Sequence, residues 1–264
     1  MNEELYTSYR KWRTEGSIEK DGFVVGTDLS QEWLLPWWWE GFRKFCDHPV
    51  TFVDFGMTST AREWCKSRGE LVRLLVADVF VSEKEDLAPS VYRDWEIHFG
   101  NKFWLCRHAW FKKPLACLQS PYRRSIWIDL DCEIKAPIGH LFSRCNHPSG
   151  ISMRLEHFNP IQEHVYNSGV IVFRRNISLI KEWADQSFTR SGEFPGDQDL
   201  LSDIILKKNL EIDRLPDIYN WSRRAPENPK AAILHFHSDI GKAYIKHQIT
   251  CSNLDSLSRC TDAD

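Results

Sequence analysis

The sequence predicts one α/β domain, a mostly parallel sheet with helices on its faces. Three observations carry this. In the first half, short apolar runs of strand length alternate with stretches of helical period, in the order strand, helix, strand, helix, strand. Residues 124–134 then alternate strictly between apolar and polar positions, which is the strand signal. Further apolar runs at 150–157, 165–174 and 231–237 supply more strands, with helical stretches at 178–190 and 198–208 between them.

Composition sets the outer bounds. The chain has 264 residues, 42% of them hydrophobic, enough for one large core. Its formal charge of -3 argues against a nucleic-acid binder, which is usually basic. None of the eight cysteines forms a Cys-x-x-Cys pair, so a zinc ribbon is not expected. The first residues lack a signal-peptide pattern and no apolar run reaches membrane-spanning length, so a reducing, cytoplasmic setting is expected. The domain is expected over residues 21–250, with a charged helical arm at 1–20 and a tail at 251–264.

The elements follow in order. Residues 22–28 read as a buried strand and turn. Pro36 suits the first turn of a helix, where its missing N–H costs nothing. Leu35, Trp38, Trp39, Phe42, Phe45 and Cys46 then recur at helical spacing, so the row Trp37, Trp38, Trp39 is expected to pack rather than to stack on a ligand. Residues 50–56 make a second strand. Thr60 and Glu63 read as a capping box for a helix that Gly69 ends, and residues 71–76 make a third strand. Neither a Gly-x-Gly-x-x-Gly nor a phosphate-binding P-loop is present. Residues 79–100 are expected to be irregular, and 101–117 helical with a break at Pro114.

On the strand at 124–134, Trp127, Asp129, Asp131 and Glu133 share one face. Three acids in a row repel one another and destabilise a strand. A divalent cation would answer that repulsion, and carboxylate oxygens suit Mg²⁺ or Mn²⁺. Asp-x-Asp alone is weak: it recurs at 197/199 and 262/264. The first pair is set apart by the apolar strand it ends. Further along, Asn167, Ser168 and Gly169 precede a buried run, and a glycine there allows close approach of a ligand or another backbone. Asp197 and Asp199 open a helix, where acids also serve as plain caps; Gln198 between them has no such role. His235 and His237 share one face after an apolar run, a better ligand candidate than a lone histidine.

Taken in order, Thr27-Asp28, Asp129-Leu130-Asp131, Asn167-Ser168-Gly169, Asp197-Gln198-Asp199, Leu234-His235-Phe236 and Gly241-Lys242 resemble the GT-A-fold glycosyltransferases, of the retaining, glycogenin-like and lipopolysaccharide galactosyltransferase-like kind. The resemblance spans residues 22–245. It implies a Rossmann-like sheet, and Mn²⁺ (or Mg²⁺) held by Asp129, Asp131 and His235. It further implies a nucleotide-sugar donor whose nucleoside meets Thr27 and Asp28, and whose phosphates meet Gly241-Lys242. Asn167, Ser168 and Asp197 to Asp199 would line the sugar pocket, with Gln198, Asp197 and Asp199 the candidates for catalysis. A UDP-sugar is the favoured donor, and the acceptor is left open among glycans, lipid-linked sugars and proteins. The family usually has His-x-x-Gly-x-x-Lys; here the spacing from His235 to Lys242 is longer, so His237 is the alternative ligand.

The chemistry stands beside the resemblance. A nucleoside diphosphate leaving group gains negative charge as the glycosidic bond breaks, and cations stabilise it. The anomeric carbon becomes oxocarbenium-like. Two other readings are kept: a metal-dependent nucleotidyltransferase, which would release pyrophosphate, and a non-catalytic glycan- or partner-binding module, which would bind without turnover.

Overall fold

The computed structural model describes residues 9–15, 19–76, 80–156 and 164–252. Among them, seven strands form a central sheet in the order β3-β2-β1-β4-β7-β6-β8. These are β1 (Asp21–Thr27), β2 (Val50–Asp54), β3 (Glu70–Arg73), β4 (Arg124–Ile128), β6 (Ile151–Leu155), β7 (Tyr166–Arg174) and β8 (Asp213–Arg214). The pairs β1·β2, β2·β3, β1·β4 and β6·β8 are parallel, while β7 runs antiparallel to both β4 and β6. A smaller sheet joins β5 (Cys132–Ile134), β10 (Ile233–His235) and β9 (Trp221–Ser222). The mostly parallel α/β sheet expected from the sequence is present.

Alternation along the strands divides the core in two. Phe23, Val25, Ile126 and Ile128 face one side with Leu35, Trp38 and Phe42 of α1 (Leu35–Phe45). Val24, Trp127, Ile171 and Phe173 face the other, against α4 (Trp104–Leu118), α5 (Ser178–Arg190) and α6 (Asp197–Lys207). The tryptophan row packs as expected: Trp38 stacks on Phe42 at 5.0 Å, Trp39 meets Trp64 edge-on at 6.2 Å, and Trp37 meets Phe236. Phe23 is wholly buried between Phe42 and Phe142, so its truncation to Ala would cost about 3–5 kcal/mol.

Several local expectations are corrected. The helix α2 (Ser59–Lys66) is capped by Thr58, whose hydroxyl accepts from Ala61 N–H at 3.1 Å; the Thr60 box does not form, because Glu32 holds Thr58 in place by accepting from both its N–H and its hydroxyl. Of the stretch expected to be irregular, residue 79 lies outside the described residues and 80–88 hold only a short 3-10 turn, but α3 (Pro89–Phe99) is a regular helix with Pro89 in its first turn and Trp95 as its buried anchor. Pro114 does not break α4, which runs on to Leu118. An interior proline costs about 3 kcal/mol, and full burial of Phe111, Leu115, Ala116, Cys117 and Leu118 offsets it.

Of the expected N-terminal arm, residues 1–8 and 16–18 lie outside the described residues, as do tail residues 253–264 with the Asp262/Asp264 pair. Residues 9–15 pack against the domain. Trp12 packs on Phe173, Arg10 pairs with Asp185, and Arg13 N–H bonds Leu118 O.

The largest correction concerns the acidic strand. It is two strands in two sheets. The β4 ladder closes with Asp129 N–H donating to Gly169 O at 2.8 Å. Cys132 N–H then returns to Asp129 O at 3.0 Å, a tight turn, and β5 leaves to pair with β10. The apolar alternation survives the break because Ile128, Leu130, Cys132 and Ile134 are buried on both sides of it. The late strand is likewise shorter than expected. It ends at His235, and α7 (Ser238–Ser252) begins three residues later.

Candidate functional site

The turn at Asp129-Leu130-Asp131 lies where the two sheets part, at the carboxyl ends of the parallel neighbours β1 and β4. Sequential crossovers run from β1 outward to β2 and β3, then back across to β4. Open α/β sheets bind ligands at such a reversal of strand order, in the crevice beyond the strand ends. Here that crevice is an open cleft lined among others by Thr27, Asp28, Trp110, Asp129, Asp131 and Lys242.

Asp129 is held from below. Its carboxylate accepts from Trp127 Nε1 at 2.7 Å and from Lys113 Nζ at 3.1 Å. Lys113 projects from α4 and is buried. It also donates to Ser168 Oγ at 3.0 Å and lies 3.5 Å from Asp197 Oδ2, which accepts from Ser168 Oγ at 2.8 Å. Burial lowers the pKa of this ammonium, but Asp129 and Asp197 more than offset it and hold it above the usual lysine range.

Asp131 faces the other way, toward the small sheet. Pairing of β5 with β10 sets His235 opposite Cys132, and Phe236 N–H donates to Asp131 O at 2.8 Å. That register brings His235 Nε2 to 3.3 Å from Asp131 Oδ1. Burial would raise the Asp131 carboxyl, yet His235, Lys242 and His237 around it hold it well below the usual carboxylate range. The other ring nitrogen of His235 meets Asn220 Oδ1 at 2.9 Å. The His237 ring stacks on His235 with centroids 3.7 Å apart, closer than a regular strand would place it, because the strand has already ended.

The remaining candidates sit behind the cleft wall. Asn167 and Ser168 are buried in β7, and Asp197 and Asp199 are buried in the first turn of α6, with Gln198 between them half-buried. Gly241 is in the first turn of α7, where a β-carbon would fall 2.6 Å from the Phe236 carbonyl; its absence lets the helix start close to the end of β10. Glu133 lies past the turn on β5, in the field of Lys135 and Lys44. Among the described residues, ligand-type atoms of Asp131, Cys132 and His235 lie within 4.8 Å of one another. Burial drives the Cys132 thiol far up, so it stays protonated and unsuited to a hard cation.

Solved structures share this architecture. Mouse xyloside xylosyltransferase 1, in its apo form, matches with a TM-score of 0.51 at 15% identity, over 82% of this chain and 97% of its own. The galactosyltransferase LgtC, in complex with donor and acceptor sugar analogues, matches at 0.52 and 9% identity, over 90% and 97%. The glycosyltransferase GlyE of Streptococcus pneumoniae TIGR4 matches at 0.52 and 12% identity, over 89% and 65%. The fold is GT-A. No protein-family profile and no curated protein sequence matches the chain.

Within the GT-A framework, two polar residues escaped the sequence reading. Lys113 stands in the apolar run from Ala109 to Cys117, and a lysine there without an acid at helical spacing was the available signal. Asn220, wholly buried between Tyr219 and Trp221, carries no local signal; only the pairing of β9 with β10 brings it to His235.

Proposed function

We propose that this chain is a metal-dependent glycosyltransferase that moves a sugar from a nucleoside diphosphate sugar, UDP-linked, to an acceptor with retention. One observation carries the reading: at the strand-order reversal, Asp129 and Asp131 share a cleft with Thr27, Asp28 and Lys242. Acids for a cation, a lysine for a phosphate and a strand end for a nucleoside thus line one space.

The donor set fits a hard divalent ion. Asp131 offers a carboxylate oxygen and His235 an imidazole nitrogen 3.3 Å away, with Asp129 at the same turn. Asp129, Asp131 and His235 would hold Mn²⁺, or Mg²⁺. Such an ion would neutralise charge developing on the departing diphosphate. Lys242 would add a second positive charge there. Lys113 orients the Asp129 carboxylate from beneath, and Trp127 fixes its other oxygen. Asp197 is committed to Ser168 and Lys113 behind the wall, which favours attack from the leaving-group side over a covalent intermediate on that acid.

The test is a thermal-melting screen of nucleotide sugars and free nucleoside diphosphates with and without Mn²⁺. A ligand at a hundred times its dissociation constant adds about 2.7 kcal/mol of stability. UDP with Mn²⁺ is expected to stabilise more than UDP alone and more than GDP with Mn²⁺. Equal shifts with and without metal, or a larger shift with GDP, would count against the proposal.

A further inference from the structure

A line of hydrogen bonds runs from the β7 backbone to the imidazole of His235, and its two ends dictate the sense of every link. Gly169 N–H is a donor and reaches one amide atom of Asn167 at 2.9 Å. The Glu156 carboxylate, paired with Arg154, is an acceptor and meets the other amide atom at 2.8 Å. Together they orient Asn167 with its oxygen toward Gly169 and its nitrogen toward Glu156. The same oxygen accepts from Asn220 at 2.7 Å, so the Asn220 atom there is its nitrogen. The Asn220 oxygen must then face His235 Nδ1, at 2.9 Å. An oxygen acceptor at that distance requires a hydrogen on Nδ1. In the neutral ring Nε2 is therefore bare, and Nε2 is the nitrogen 3.3 Å from Asp131 Oδ1.

We infer that Asn220 is a positioning residue: it locks neutral His235 in the Nδ1–H tautomer and turns a bare Nε2 toward Asp131. Two bare acceptors facing each other repel, and either a proton taken up on Nε2 or a metal cation between them relieves this. A histidine ligand is oriented in this way when its second nitrogen donates to a fixed acceptor. Asn220 is wholly buried and His235 nearly so, so the link is shielded from competing water. Its purpose rests on the metal reading above, but its geometry does not.

The test uses the full chain, metal-free and labelled with ¹⁵N-histidine, across a pH series in which a ring doubly protonated at every point would overturn the inference. Long-range ¹H–¹⁵N correlations report the ring tautomer, and the peaks lost in His235→Ala identify the residue. The wild type is expected to show the Nδ1–H pattern and Asn220→Ala to lose it. Mn²⁺ affinity by calorimetry is expected to fall about 10- to 100-fold in Asn220→Ala. An Nε2–H pattern in the wild type overturns the inference, and so does an unchanged tautomer in Asn220→Ala. The wild-type spectrum decides if that variant does not fold. An Nδ1–H pattern in a protein that binds no Mn²⁺ would uphold the tautomer and defeat the metal reading instead.

Discussion

His235 rests directly on the backbone of Gly169: a β-carbon at position 169 would fall 2.2 Å from His235 Cε1 and 2.7 Å from its Nδ1. What approaches the glycine of the Asn-Ser-Gly segment is therefore an imidazole. Gly169→Ala is predicted to push the ring away from Asp131, lowering Mn²⁺ affinity at least tenfold and stability by about 1–3 kcal/mol through overpacking. Metal titration and urea denaturation measure the two effects. Unchanged affinity would show that the ring position does not matter to metal binding.

Lys113 is the cation between Asp129 and Asp197. Lys113→Met would leave two acids facing each other without it. Removing one partner of a buried pair costs about 3–5 kcal/mol; because Asp129 keeps 25% exposure, the lower end is expected. The pH dependence has a definite sign. The folded state holds this proton more tightly than the unfolded chain does, so its contribution is complete below the ordinary lysine value of 10.5 and is lost as pH rises through the higher folded value. The stability gap between wild type and Lys113→Met should therefore be flat from about pH 8 to pH 10 and narrow above about 10.5. A gap that closes by about pH 9 would mean that Lys113 is not paired in this way.

Much of the fold was legible because single elements obey one period. The strand at Asp21–Thr27 and the helices at Leu35–Phe45 and Ser178–Arg190 each show a clean pattern, and each formed close to its expected place. The break at Asp129 was not legible. Residues on both sides of it are buried, so the alternation carries through a change of sheet. Pro114 misled for a related reason, since a local helix penalty was outweighed by burial that local sequence does not report. Of the candidate site, Asp129, Asp131 and Lys242, singled out by motif order, line one cleft. Lys113 and Asn220 act through residues far off in sequence, 16 and 15 positions from Asp129 and His235 respectively.

The two histidines are predicted to differ. His235 has its second nitrogen anchored by Asn220 and its first beside Asp131, whereas His237 stacks on it from beyond the strand end. His235→Ala should lower Mn²⁺ affinity at least tenfold, about 1.4 kcal/mol, and His237→Ala should cost less. Titration of both variants in the presence of UDP checks the order. A larger loss in His237→Ala would move the ligand two residues along the chain.

Glu133 belongs to the small sheet, beyond the turn that aims Asp129 and Asp131 at the cleft. Glu133→Gln is therefore expected to keep most of the donor-cleaving activity. Complete loss would mean that the cation sits nearer β5 than the cleft geometry implies.

The central claim is that Asp129 and Asp131 hold a cation which assists departure of a nucleoside diphosphate. The most direct measurement is product analysis after incubation with a UDP-sugar, with Mn²⁺ or with chelator, for wild type, Asp129→Asn and Asp131→Asn, each shown to be folded by circular dichroism. The account predicts that the wild type releases UDP only when Mn²⁺ is present and that both variants release none. UDP release that survives chelation or either substitution, or products cut between the phosphates, would contradict it.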